Sequence, residues 1–273
     1  MRNDTGDELY QTGRLNTYQQ IRQWQVAAAS VRGTSHEKVG QLCQDAHHWQ
    51  KLPNSVLVTA VGDGAGSASL GKVGAIVATQ TAVETICADQ SRLYYTQDEQ
   101  GWQEILAEAL LAAKSAVEAE AVVCGLAARE LATTLIIVVA TPELIAAVQV
   151  GDGLAVGGDR LGNVVSLTSP QRGEYINETT FLVSPNALDT VQVNLWRGAT
   201  HHIAVFSDGL QMLAVNMNDG TPYVPFFLPL FQFMANIEDE HEAKEQLVGF
   251  LRSPRITDRT DDDLTLLLAT LVS

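Results

Sequence analysis

The sequence predicts a layered α+β chain, and three observations carry that expectation. Apolar runs of strand length come in neighbouring groups, helical periodicities come in separate stretches, and no regular strand–helix–strand alternation links them. In order, residues 1–20 are polar and read as a loose N-terminal arm, leaving 21–273 as one domain. Residues 24–31 (WQVAAASV) and 55–61 (SVLVTAV) read as strands, the second nearly continuous in apolar residues. Residues 69–88 read as a helix, with Val73, Ile76, Val77, Val83 and Ile86 at helical intervals; 89–100 is polar and reads as a loop. Trp102, Ile105, Leu106, Ala109, Leu110, Ala113, Ala116 and Val117 follow the i, i+3, i+4, i+7 rule closely and predict a second helix. Strands are expected at 133–140, 144–150, 154–157, 163–167, 179–183, 191–195 and 202–206. Residues 209–236 look helical but are cut by Pro222, Pro225 and Pro229; a helix at 239–251 and a strand at 264–271 close the chain. Phe226, Phe227, Phe231 and Phe233 are expected to pack under a helix pair.

Composition narrows the function. The chain has 273 residues, and 46% of them are hydrophobic, enough for a substantial core. Its 32 acidic and 17 basic residues give a net charge of −15, which repels nucleic-acid backbones and anionic lipid. Neither nucleic acid nor membrane is therefore an expected partner. Cys43, Cys87 and Cys124 are far apart and odd in number, so neither a disulfide framework nor a cysteine zinc site follows. Residues 1–20 lack the apolar stretch of a signal peptide, and the apolar run 131–150 is broken by Thr141-Pro142-Glu143, as two short strands would be. The expected setting is a reducing cytoplasm.

The informative feature is a recurrence. Three apolar strands end in Asp-Gly: SVLVTAVG before Asp63-Gly64, IAAVQVG before Asp152-Gly153, and IAVFS before Asp208-Gly209. A fourth acidic group, Asp261-Asp262-Asp263, stands immediately before the strand LTLLLATLV. If that strand runs antiparallel to its neighbours, four carboxylate groups share one rim. Converging carboxylates repel one another unless a cation lies among them, and an all-oxygen set favours a hard ion such as Mg²⁺, Mn²⁺ or Ca²⁺. Two such ions roughly 3.5–4 Å apart can bind a phosphoryl group and acidify a water. Each glycine would let the backbone turn sharply and present a carbonyl. The alternative is that Asp-Gly marks hairpin turns, Asp152-Gly153 above all, and that the acidic run is a solvated face.

These segments resemble the metal-dependent protein phosphatases of the protein phosphatase 2C family, in order, from about residue 25 to the C-terminus. CQDAHHW (43–49), VGDGAGSASLGKVGA (61–75), ATTLIIVVA (132–140), VQVGDG (148–153), FSDGL (206–210) and DDLTLLLA (262–269) carry the resemblance. GEYINETTFLVS (173–184) is similar to a bacterial branch. The resemblance implies a four-layer α-β-β-α sandwich of two antiparallel sheets flanked by helix pairs. It implies two Mg²⁺ or Mn²⁺ ions, with a weaker third in bacterial members. Asp63 would bridge two ions and the Gly64 carbonyl would bind the second. Asp208 and Asp262 would hold the first, and Asp45 would act directly or through metal-bound water. Asp152 with Asp208 would hold the third. A metal-activated water would attack phosphorus in line, and 168–199 would contain a mobile flap. The implied substrate is a phosphorylated protein, a serine/threonine kinase or its target.

Three departures stand out. Gly40 occupies the place of a phosphate-binding arginine, Ala65 that of a histidine proposed as general acid, and Asp262-Asp263 that of the usual Asp-Asn. The stretch 31–36 is expected at the same rim, where Arg32 would bind phosphate and His36 would bind it and protonate the leaving serine oxygen. Otherwise Arg32 is a surface cation and His36 a loop residue. His47-His48 and His201-His202 are not expected to chelate, since adjacent histidines on a strand point to opposite faces. Cys43, beside Gln44 and Asp45, reads as a buried structural thiol before an oxidisable one. The competing functions are a catalytically weak, phosphatase-like binding or regulatory protein and a two-metal nuclease; the acidic charge disfavours the nuclease.

Overall fold

A computed structural model describes residues 22–169, 179–189, 191, 193–198 and 200–272. The expected N-terminal arm lies outside the described residues. The strands are β1 (Gln23–Val31), β2 (Ala46–Leu52), β3 (Val56–Gly62), β4 (Leu135–Ala140), β5 (Leu144–Val150), β6 (Leu154–Gly158), β7 (Val164–Ser166), β8 (Val193–Arg197), β9 (His202–Phe206) and β10 (Leu264–Val272). The helices are α1 (Thr34–Val39), α2 (Gly71–Ala88), α3 (Gln90–Tyr95), α4 (Glu99–Cys124), α5 (Gln211–Ala214), α6 (Val224–Asn236), α7 (Glu240–Leu251) and α8 (Pro254–Thr257).

Two five-stranded sheets form, ordered β1-β10-β9-β6-β7 and β2-β3-β4-β5-β8, with every strand pairing antiparallel. Strand alternation shows the layering. On β1, Trp24, Val26 and Ala28 face the second sheet, while Ala27, Ala29 and Val31 face helices α6 and α7. On β4, Ile136 and Val138 face the first sheet, while Leu135, Ile137 and Val139 face α2 and α4. A strand buried on both faces needs apolar residues at every position, so β3, β4 and β5 read as unbroken runs. The molecule is the expected α+β, four-layer sandwich.

Several elements differ from expectation. Residues 46–52, polar in character, form β2, an edge strand whose outer residues stay partly exposed. Residues 179–183 form no strand; Leu182 N–H reaches Thr133 O (2.8 Å) and a turn follows. The expected loop at 89–100 contains α3 and the start of α4, whose N-cap Asp98 accepts from Gly101 N–H (2.7 Å). On α2 the fully buried residues are mostly small (Gly74, Ala75, Ala78, Ala82), with Val73 and Val77 only partly buried. The helix lies so close to its neighbours that a Cβ on Gly74 would stand 2.0 Å from Leu131 O. The proline-cut stretch resolves into the short α5 and then α6, which starts after Pro222 and tolerates Pro225 in its first turn. Phe227 and Phe231 are buried on it, with Phe226 and Phe233 packed beside them.

The registers place the site. Val31 pairs with Leu264, Phe206 with both Leu266 and Leu154, Gly62 with Ala46, Val61 with Ile136, and Val150 with Leu135. The ends of β1, β3, β5 and β9 and the starts of β2, β4, β6 and β10 therefore share one rim.

Candidate functional site

Asp63 leaves β3 on a backbone clamped by two buried threonines. Its N–H donates to Thr134 Oγ1 (3.0 Å), and its carbonyl accepts from Thr134 N–H (2.8 Å) and Thr133 Oγ1 (3.0 Å). Asp45 precedes β2 and is 4% exposed; Ser207 Oγ donates to its Oδ2 (2.7 Å), and its Oδ1 is buried without a partner. Asp208 follows Ser207 and opens a 3₁₀ turn, Asp208–Leu210, again with a buried, unpartnered Oδ1. Asp262 Oδ1 accepts from Asp263 N–H (2.8 Å). Asp152 lies where the chain crosses from β5 in one sheet to β6 in the other, so Asp152-Gly153 is not a hairpin turn. Gln149 holds that crossover by donating to the carbonyls of Gly151 and Gly153 (2.8 Å each). Asp152 Oδ2 accepts from Thr179 Oγ1 (2.7 Å) and its carbonyl from Gln211 Nε2, so the described part of the 168–199 segment touches it.

The glycines serve a different purpose from the sharp turn expected of them. None of Gly64, Gly153 or Gly209 has a positive φ; it is Gly151 that does, at 106°. Each instead admits a neighbouring backbone. An added Cβ would stand 2.4 Å from Gly71 C, 2.6 Å from Phe206 O and 2.2 Å from Asp263 O respectively. With its carboxamide turned so that the nitrogen faces these acceptors, Gln44 donates to Gly64 O (3.1 Å) and Ala65 O (2.8 Å).

Burial and like charge govern the electrostatics. Asp63 is held well above the usual carboxylate range by burial first, then by the charges of Asp45 and Asp208, both within hydrogen-bonding reach of it. Asp45 is raised by burial against the opposing bond from Ser207, and Asp208 by burial and then by Asp152. Asp262 is raised by burial. Among the described residues no three His, Cys, Asp or Glu side chains are gathered as a ready cation site. The aspartates meet instead as pairs about Asp63. The oxygens nevertheless fit a hard cation: two are buried and unpartnered, and the charges there repel.

The 31–36 stretch joins the same rim. Gly33 N–H donates to Asp263 Oδ1 (2.7 Å), His36 Nδ1 bonds Asp263 Oδ2 (2.8 Å), and Ser35 N–H and Oγ both donate to Asp261 O (2.9 and 2.6 Å). Arg32 is exposed, donating to Gln41 O (3.2 Å) and pairing loosely with Glu37 (3.8 Å). Gly40 caps α1 with φ 71°, a conformation that an arginine there would strain to adopt. Ala65 is buried. His47 Nδ1 bonds Ser30 Oγ (2.9 Å) across the two sheets, and His202 stacks on Phe231 (4.9 Å); burial lowers both pKa values to about 4. Both histidines are thus built into the frame. Cys43 is partly buried, and burial pushes its thiol far up, which suits a structural residue. Sequence reasoning quoted Thr133, Thr134, Gln149 and Ser207 within the resembling segments but gave them no role; their side chains hold the aspartates and the β5–β6 crossover in place.

The model of the family described as protein phosphatase 2C matches residues 32–252. Serine/threonine-protein phosphatase 3 of Escherichia coli (strain K12) is 36% identical over 257 residues, covering 90% of this chain and 98% of that protein. The serine/threonine phosphatase Stp1 from Staphylococcus aureus shares the fold with a TM-score of 0.63 at 14% identity, covering 91% of this chain and 95% of that one. RsbX, solved in complex with magnesium, shares it with a TM-score of 0.53 at 15% identity, covering 91% of this chain and 96% of that one. With its two antiparallel sheets, its rim of aspartates and these matches, the chain belongs to the protein phosphatase 2C family of serine/threonine phosphatases.

Proposed function

We propose that this phosphatase hydrolyses phosphoserine and phosphothreonine on a protein, a serine/threonine kinase or its target, with Mg²⁺ or Mn²⁺ bound among the rim aspartates. The observation that carries the reading is the placement of Asp63 between Asp45 and Asp208, with Asp45 Oδ1 and Asp208 Oδ1 buried and unpartnered. Hard divalent ions, when bound there, supply positive charge for the phosphoryl group and an acidified water. Asp63 and Gly64 O would serve two ions, Asp208 and Asp262 the first, Asp45 one ion directly or through water, and Asp152 with Asp208 a third. The magnesium in the RsbX complex supports the choice of ion. The threonine clamp keeps Asp63 from swinging away, and Ser207 keeps Asp45 turned inward. Arg32 would orient the phosphate, and His36 would protonate the leaving oxygen. No helix among the described residues is long and apolar enough to cross a membrane, and the three cysteines form no disulfide.

A weak, regulatory relative is the second reading, supported by Gly40 and Ala65 at the positions of the absent arginine and histidine. Family membership sets the nuclease aside. One assay separates the two readings: hydrolysis of para-nitrophenyl phosphate with and without Mn²⁺. Strong Mn²⁺ dependence is expected, abolished in Asp63→Asn and nearly so in Asp208→Asn and Asp262→Asn, each still folded. Arg32→Ala is expected mainly to raise KM. Near-parental turnover in all three aspartate variants, with cation binding unchanged by calorimetry, would overturn the assignment.

A further inference from the structure

We propose that Asp263 is a positioning residue for the hydrolysis, acting through His36. The proposal rests on the metal-assisted phosphatase reading above and adds a residue to it. Asp263 is 3% exposed and accepts two backbone N–H groups, Gly33 at Oδ1 (2.7 Å) and Gln44 at Oδ2 (2.6 Å), while His36 Nδ1 bonds its Oδ2 (2.8 Å). One carboxylate thus ties the start of α1 and the loop that carries Asp45 to the start of β10, next to Asp262.

The chemistry of the acceptor matters. A carboxylate offers two accepting oxygens, whereas a carboxamide offers one and turns an NH₂ toward the other donors. An asparagine at 263 could not receive both the Gly33 bond on one side and the Gln44 and His36 bonds on the other. Two backbone donors would suffice for a purely structural clasp. The third donor is a ring, and an ionised carboxylate can only accept from it. With Nδ1–H assigned toward Asp263, the ring keeps Nε2 as the nitrogen that exchanges a proton. The ring is 15% exposed, and it stands close enough to Asp262 for its charge to act on that carboxylate. It therefore belongs to the rim and is not sealed from it.

In the reaction, a water oxygen bonds phosphorus while the bond from phosphorus to serine Oγ breaks, its electron pair going to Oγ. His36, protonated on both ring nitrogens as the imidazolium, gives its Nε2 proton to Oγ, forming serine and leaving the neutral Nδ1–H ring, which then takes a proton on Nε2 from solvent. The water leaves one hydrogen on the phosphate and one in solvent. Asp263 moves no proton; it keeps the ring placed.

The test is a double-mutant cycle of Asp263→Asn and His36→Ala, with Mn²⁺ present, on a phosphoserine peptide and on para-nitrophenyl phosphate. Each single variant is expected to lower kcat on the peptide by ~10²-fold. On para-nitrophenyl phosphate, whose phenolate leaves unaided, each should lose at least about tenfold less than on the peptide, Asp263→Asn carrying besides whatever loss its slackened hold on the Asp45 loop costs both substrates. In the ratio of peptide loss to para-nitrophenyl phosphate loss, the double variant is expected to match His36→Ala. A ¹⁵N histidine spectrum of the parent protein, which needs no variant to fold, should show an Nδ1-bound proton on His36 that Asp263→Asn loses. Four results overturn the proposal and leave the phosphatase reading standing: parental peptide turnover in Asp263→Asn, equal slowing of both substrates, a multiplied peptide-to-nitrophenyl ratio in the double variant, or a neutral parent ring whose one proton is on Nε2. A parent without cation-dependent turnover overturns the underlying reading, and this one with it.

Discussion

Asp152 has fewer holds on its carboxylate than Asp63 has on its backbone. A single hydroxyl, Thr179 Oγ1, bonds its Oδ2, and its described neighbour in charge is Asp208. A ligand so placed contributes to a weaker site than one flanked by two carboxylates, so its loss should spare tight binding. Asp152→Ala is expected to keep two tight ions by calorimetry while lowering turnover severalfold and raising the Mn²⁺ concentration needed for half-maximal rate. An unchanged Mn²⁺ titration would place Asp152 outside the cation machinery. At this scale the sequence was readable where the backbone dictated it. An apolar run followed by Asp-Gly reports a strand that stops at a rim. The hydroxyls of Thr134 and Ser207 were not readable, because each bonds a residue 71 or 162 positions away and local spacing carries no trace of that. His36 was singled out from its place in the chain, but its partner Asp263 could not be, since the two are 227 positions apart.

The elements meet at the rim through backbone-to-backbone contacts that leave no room for a side chain. Gly209 is the sharpest case: a Cβ would lie 2.2 Å from Asp263 O and 3.0 Å from the Leu264 side chain. Gly209→Ala must push the 3₁₀ turn away from β10, separating Asp208 from Asp262. A stability loss of about 1–3 kcal/mol is expected, together with weaker cation binding. Gly249, inside α7 with nothing within 4 Å of an added methyl, is the contrast. Gly249→Ala should stabilise by about 0.4–1 kcal/mol, because it narrows the unfolded chain and improves helix propensity. Equal effects of the two substitutions in chemical denaturation would refute the close-packing account. The same crowding explains why α2 was legible as a helix yet not in its buried face. Hydrophobic periodicity points to the bulky residues, whereas close approach selects the small ones. Strand β2 escaped the same reasoning because an edge strand with polar residues has no apolar run to detect.

Taken whole, the molecule gathers negative charge at one end of a double sheet in a chain already at −15. The layered fold was legible because strands buried on both faces leave unbroken apolar runs; the pairing order was not, since β1 meets β10 from the far end of the chain. This concentration of charge has a consequence for stability. Asp45 and Asp208 are pushed up to about 7 and about 6, and Asp63 is raised with them, so the folded state binds protons more tightly than the unfolded chain does. Their contribution is complete below pH ~4, the ordinary carboxylate range, and is lost as pH rises through 6 to 7. His47 and His202 act oppositely. Held neutral down to about pH 4, they stabilise the fold as pH rises toward ~6.5 and contribute no further change above it. Subtracting a variant that lacks one rim charge cancels the histidines. In a chelating buffer, the melting temperature of the parent relative to Asp63→Asn is therefore expected to fall steadily from pH 5 to pH 7.5, by an amount worth a few kcal/mol. On the proposed reading Mn²⁺ or Mg²⁺ would take over the protons' role, so either ion should raise the parent's melting temperature more at pH 7.5 than at pH 5, and the variant's much less. A parent-minus-variant difference that is flat with pH, or one that rises, would mean that the rim aspartates do not share the charge problem that a cation solves.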